Sequence, residues 1–114
     1  MPDPLDRWTT QLRKGVLELC ILNAISGTRR YGYEIAKALG ALAEPAVREG
    51  TVYPILSRLR REGLLDVTLE DSSEGPTRKY YSLSAAGQEE LQRMNEAWDR
   101  LERGVNELRR RTTS

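Results

Sequence analysis

Between residues 51 and 61 the chain gathers hydroxyls, an aromatic ring, a proline and arginines: Thr51, Tyr53, Pro54, Ser57, Arg58 and Arg61. Guanidinium groups bond phosphate oxygens and the paired acceptors on a guanine edge, and hydroxyls bond to either kind of target. The chemistry on offer is polar recognition of an anionic partner with readable edges. A second cationic pair, Arg78-Lys79, follows a turn at Gly75-Pro76 and can add contacts to a phosphate backbone or a neighbouring minor groove.

Other chemistries are hard to assemble here. Histidine is absent, which removes the usual general base and the commonest zinc ligand together. Adjacent acids such as Glu89-Glu90 and Glu70-Asp71 lie on polar segments where solvation explains them, and no glycine-rich phosphate loop occurs. The sequence therefore predicts no enzyme, no metal site and no cofactor. The single cysteine, Cys20, sits among Leu19, Ile21 and Leu22 and reads as a small buried hydrophobe.

With 114 residues, one domain with an appended helix is the natural size. Charged residues make up 31% and apolar ones 39%, with no apolar run near the roughly 20 residues of a membrane span. The start, Met1-Pro2-Asp3-Pro4, lacks the basic and apolar stretches of an export signal, so a soluble cytoplasmic protein is expected. Net charge is only +1, from 18 basic and 17 acidic residues, so any nucleic-acid affinity must come from local arrangement.

The elements that position these residues follow from apolar spacing. Leu12, Val16, Leu19, Cys20 and Ile25 predict a helix over 12–25, ended by Ser26-Gly27. Tyr31-Gly32-Tyr33-Glu34-Ile35 opens a short second helix that carries Ile35 and Leu39 on one face. Val52, Ile55, Leu56 and Leu59 then keep the i, i+3, i+4, i+7 rule, predicting a third helix with Thr51 as N-cap, Pro54 in its first turn and Gly63 at its end. Around this helix Tyr53, Pro54, Ser57 and Arg61 fall opposite the core stripe, with Thr51 and Arg58 on its flank.

Two alternating runs, Leu65-Asp66-Val67-Thr68-Leu69 and Arg78-Lys79-Tyr80-Tyr81-Ser82-Leu83, predict a hairpin with a polar tip. Helix, helix, helix, hairpin is the winged helix-turn-helix order. The fold class expected is mainly α with a small β-hairpin wing, residues 1–83, followed by a C-terminal dimerisation helix in residues 84–114 that Ser84 caps. In that helix Leu91, Met94, Trp98, Leu101, Val105 and Leu108 make a heptad stripe, the seam for a second copy of the chain. Two copies of Trp98 near a two-fold axis can either sandwich a planar aromatic ligand or fill the dimer core, and Trp8 joins them if the first helix crosses the seam.

Read together, Leu12-Arg13-Lys14-Gly15-Val16-Leu17-Glu18-Leu19, Tyr31-Gly32-Tyr33-Glu34-Ile35, Glu49-Gly50-Thr51-Val52-Tyr53-Pro54-Ile55-Leu56, Glu62-Gly63-Leu64-Leu65, Arg78-Lys79-Tyr80-Tyr81 and Leu83-Ser84-Ala85-Ala86-Gly87 resemble the PadR family of transcriptional regulators. The single C-terminal helix is similar to that of the family's short subgroup. The resemblance implies a homodimer that binds a palindromic double-stranded DNA operator, usually as a repressor, with release by a small aromatic effector in some members. Thr51, Tyr53, Pro54, Ser57, Arg58, Arg61, Arg78 and Lys79 are then the DNA-contact candidates, Arg58 and Arg61 the foremost base readers. The competing reading is a winged-helix module for docking to protein.

Overall fold

A computed structural model of the chain describes residues 3–40, 49–72 and 74–113. The elements run α1 (Pro4–Ala24), β1 (Arg30–Tyr31), α2 (Gly32–Leu39), α3 (Glu49–Arg61), β2 (Leu65–Glu70), β3 (Arg78–Leu83) and α4 (Ala85–Thr113). This is the winged helix-turn-helix order expected from the sequence, with two differences in detail.

The first concerns α1, which begins at Pro4 rather than near residue 12. Asp3 caps it, its carboxylate accepting from the Leu5 N–H at 3.0 Å, and Pro4 occupies the first turn, where its missing N–H costs nothing. Leu5, Trp8 and Leu12 extend the apolar spacing backwards, but all three are exposed. The second is an additional strand. β1 pairs antiparallel with β3, Tyr31 opposite Tyr80, so the wing is a three-stranded sheet in the order β1-β3-β2.

The core forms where α1, α2 and α3 meet the root of the sheet. Ile21, Leu22, Ile25, Ile35, Val52, Leu56 and Leu59 are all essentially inaccessible, and Leu65, Tyr81 and Leu91 close it. The apolar stripe predicted for α3 is thus its buried face, with Ile55 half-buried at the edge. Thr51, expected to cap α3, is instead a residue of the helix, which already includes Glu49. Pro54 accordingly lies inside the helix, where its absent N–H removes the i+4 donor to the Gly50 carbonyl.

α3 ends as predicted at Gly63, whose φ of 80° is the left-handed region glycine favours. The Gly63 N–H donates to the Arg60 carbonyl and the Leu64 N–H to the Leu59 carbonyl, each at 3.0 Å, the paired bonds of a Schellman turn. The same corner starts α4. The Ser84 N–H donates to the Leu64 carbonyl at 3.0 Å, its hydroxyl donates to the Gly63 carbonyl at 2.7 Å, and the Gly87 N–H donates back to that hydroxyl. A β-carbon at Gly87 would overlap the Leu64 carbonyl, so only glycine lets α4 seat this closely.

Beyond this seat α4 departs from the body, and the molecule measures 59 Å along its long axis against 37 and 22 Å across. Leu91, expected in the seam, instead packs into the protomer's own core, and Met94 and Trp98 lie against that core, partly buried. Leu101, Val105 and Leu108 are exposed. A reciprocal amide pair, Asn23 with Asn95 at 3.0 Å in both directions, ties α1 to α4 where the two helices cross.

Candidate nucleic-acid interface and family

On α3 the side turned from the core carries Gly50, Pro54, Ser57 and Arg61 in one line, all exposed. Arg61 has no ion pair among the described residues, so its guanidinium is available to a partner. Thr51 is exposed on the flank that also carries Arg58. Tyr53 occupies the opposite flank and is 42% exposed, its ring lying over the first residue of α2. Arg60, which sequence reasoning did not single out, projects toward the sheet and opposes the rise that burial produces in the Tyr81 phenol pKa.

Arg58 differs from Arg61 in its surroundings. Its Nη2 donates to Glu18 of α1 at 3.1 Å, and its Nη1 donates to both carboxylate oxygens of Glu62 at 3.1 Å. The Glu18 hydrogen bond and charge, with those of Glu62, hold the guanidinium pKa above its ordinary value. Nothing in the periodicity of α3 pointed to Glu18. Its position on α1, one turn before the buried Leu22, was the available signal.

In the wing, side chains alternate between faces, and the buried Tyr81 assigns them. Arg78 and Tyr80 point to the outer face with Glu70 and Tyr31 as cross-strand neighbours. The Arg78 guanidinium lies 4.6 Å from the Tyr31 ring centre, Tyr31 meets Tyr80 edge-on at 5.4 Å, and Arg29 lies 4.5 Å over Tyr80. Arg29 also holds Glu70 through two bonds at 2.9 and 3.0 Å. Lys79 takes the other face, opposite Leu69, and is exposed because the hairpin tip overshoots the core. Sequence reasoning missed Arg29 and Tyr31 as partners of the wing because a two-residue strand has no period to detect.

The aromatic candidates do not share a site within one protomer. Trp98 lines an open hollow of about 550 Å³ with Val16, Leu19, Cys20, Asn23 and Leu39, while Trp8 is not among its lining residues and is 58% exposed. Burial pushes the Cys20 thiol pKa up, as suits a packing residue rather than a nucleophile. Among the described residues no group of side chains could hold a metal ion, and no helix is long and apolar enough to cross a membrane.

Comparisons with known proteins agree with this architecture. A PadR-like transcriptional regulator of Bacillus cereus is 43% identical and superimposes with a TM-score of 0.78 over 86% of this chain and 95% of its own. A PadR family regulator of Eggerthella lenta, 29% identical, reaches 0.79 over 91% and 90%. Bacillus subtilis PadR, solved in complex with operator DNA, is 23% identical and shares the fold with a TM-score of 0.64 over 69% of this chain and 45% of its own. Residues 21–93 match the profile of the transcriptional regulator PadR-like family. The chain belongs to the PadR-like family and is a transcriptional regulator of the winged-helix type, not an enzyme.

Proposed function

We propose that the chain acts in the cytoplasm as a homodimeric repressor that binds palindromic double-stranded DNA, laying α3 in the major groove and the wing along the adjacent backbone. The exposed line of Pro54, Ser57 and Arg61 on α3 carries this reading, because it presents a guanidinium and a hydroxyl from the helix that winged folds insert. Thr51 and Tyr53 on its flanks, and Arg78 and Lys79 on the wing, supply phosphate contacts that set register. Bacillus subtilis PadR, of the same fold, is seen bound to operator DNA. Occupying an operator excludes other proteins from it, which makes repression the expected sense.

The dimer is supported by two uncovered apolar faces, Leu5, Trp8 and Leu12 on α1 and Leu101, Val105 and Leu108 on α4. A two-fold axis through this region sets the recognition helices apart, and operator half-sites must then lie about 34 Å apart, one helical turn. Titrating the dimer with DNA from upstream of its own gene, against a scrambled duplex at two salt concentrations, tests the reading. Specific binding that weakens steeply with salt supports it, and equal weak binding to both duplexes contradicts it.

The Trp98 hollow is the place we assign to a planar aromatic effector, since its walls are mostly apolar and α1 and α4 both line it. A ligand there would alter the crossing of the dimer helices and so the spacing of the recognition helices. Aromatic compounds should quench tryptophan emission and lower operator affinity together. If both stay constant across a panel of such compounds, the hollow is not an effector site.

A further inference from the structure

Arg58 is the most committed cation on α3. Two carboxylates surround its single charge, so the cluster of Arg58, Glu18 and Glu62 carries a net −1, the sum of one positive and two negative charges. A surface of that sign is repelled by phosphate. The opposite flank is held differently: the Tyr53 ring rests on Gly32, and Arg60 lies near Tyr81. The roll of α3, set coarsely by its buried stripe of Val52, Leu56 and Leu59, is thus braced on one side by an aromatic contact and on the other by an ion pair to α1.

Rotation matters because the reading atoms sit far from the axis. A roll of about 20° moves an atom roughly 6 Å from the axis by about 2 Å, enough to break a hydrogen bond whose length is about 2.9 Å. Resting on the DNA-binding reading above, we propose that Glu18 is a positioning residue for operator recognition: through Arg58 it sets the roll of α3 so that Ser57 and Arg61 face the groove, while Arg58 contacts no base. Glu18 lies on the helix whose first half carries Leu5, Trp8 and Leu12. The same pair therefore joins the uncovered apolar face of α1 to the recognition helix, and a shift of α1 in the dimer is passed to α3.

The test compares Glu18→Gln, Arg58→Met and the double variant in full-length protein, using the specific duplex from the upstream titration and its scrambled counterpart. Methionine keeps much of the apolar stem of arginine, and a thermal melt of each variant establishes that it is folded. Positioning predicts that each single variant lowers the preference for the specific duplex by about three- to fivefold, and that the double variant is no worse than either. The slope of affinity against salt stays that of the wild type.

Two results overturn the proposal. If Arg58→Met loses discrimination while Glu18→Gln keeps or tightens it and steepens the salt slope by about one, Arg58 itself contacts DNA. If neither variant changes the preference, the pair has no part in recognition. A wild-type protein that distinguishes no duplex overturns the DNA-binding reading and this proposal with it, a failure visible before any variant is made.

Discussion

The ring of Tyr53 in the recognition helix lies so close to the α-carbon of Gly32, the first residue of α2, that a methyl group at Gly32 would overlap it. This relationship explains two separated segments of sequence at once. Tyr31-Gly32-Tyr33 and Val52-Tyr53-Pro54 are halves of one contact, which sets how near the two helices of the helix-turn-helix approach.

Gly32→Ala should therefore destabilise the protein by about 1 kcal/mol, the low end of the range for overpacking, because the end of the ring it meets is partly exposed and can shift. Combining it with Tyr53→Ala should cost clearly less than the sum of the two single changes, because the truncated ring no longer meets the added methyl. Denaturant unfolding of the four proteins measures this coupling.

The corner between α3 and α4 makes a second prediction. Ser84→Ala removes the hydroxyl that accepts from Gly87 and donates to Gly63, so a loss of about 1–2 kcal/mol is expected. Gly87→Ala should cost more, since its methyl meets the rigid Leu64 carbonyl rather than a movable side chain. Thermal melts of the two variants rank them.

Much of this architecture was legible in the sequence, and the exceptions have physical causes. The stripe Val52, Ile55, Leu56 and Leu59 identified the buried face of α3 because a partly buried helix must repeat at 3.6 residues. The start of α1 was misplaced because Leu5 and Trp8, though in step with Leu12, are exposed and stand apart from the dense buried stripe that begins at Leu17. Leu91 looked like a seam residue because a heptad does not reveal where a helix leaves its own core. Spacing put Arg61 opposite the core and Arg58 on the flank but left both as base readers, and only the fold shows that Glu18 engages Arg58.

The exposed end of α4 should hold the dimer together. Leu101→Glu with Leu108→Glu places four carboxylates at a two-fold seam and should weaken association by about tenfold or more, with operator affinity falling in parallel. Sedimentation over a range of concentrations reads the first effect and the DNA titration the second.

Burial raises the Tyr81 phenol pKa, with Arg60 opposing the rise in part. A raised folded-state value means that the unfolded chain ionises first as pH climbs. The contribution is complete below the ordinary tyrosine value near 10 and is lost as pH rises through the folded value, with a slope of at most about 1.4 kcal/mol per pH unit. Tyr81→Phe should flatten that alkaline loss when unfolding is followed between about pH 9 and 11.

The central claim is that the outward line of α3 reads base sequence, and Arg61→Ala tests it most directly. The measurement is a scan of single base-pair substitutions across the specific duplex, made with wild type and variant side by side. Wild type should lose about 1–3 kcal/mol at one guanine position in each half-site, and Arg61→Ala should be indifferent at those positions while keeping its preferences elsewhere. If the variant merely binds every duplex more weakly by the same factor, Arg61 holds phosphate and the outward line of α3 does not read sequence through it.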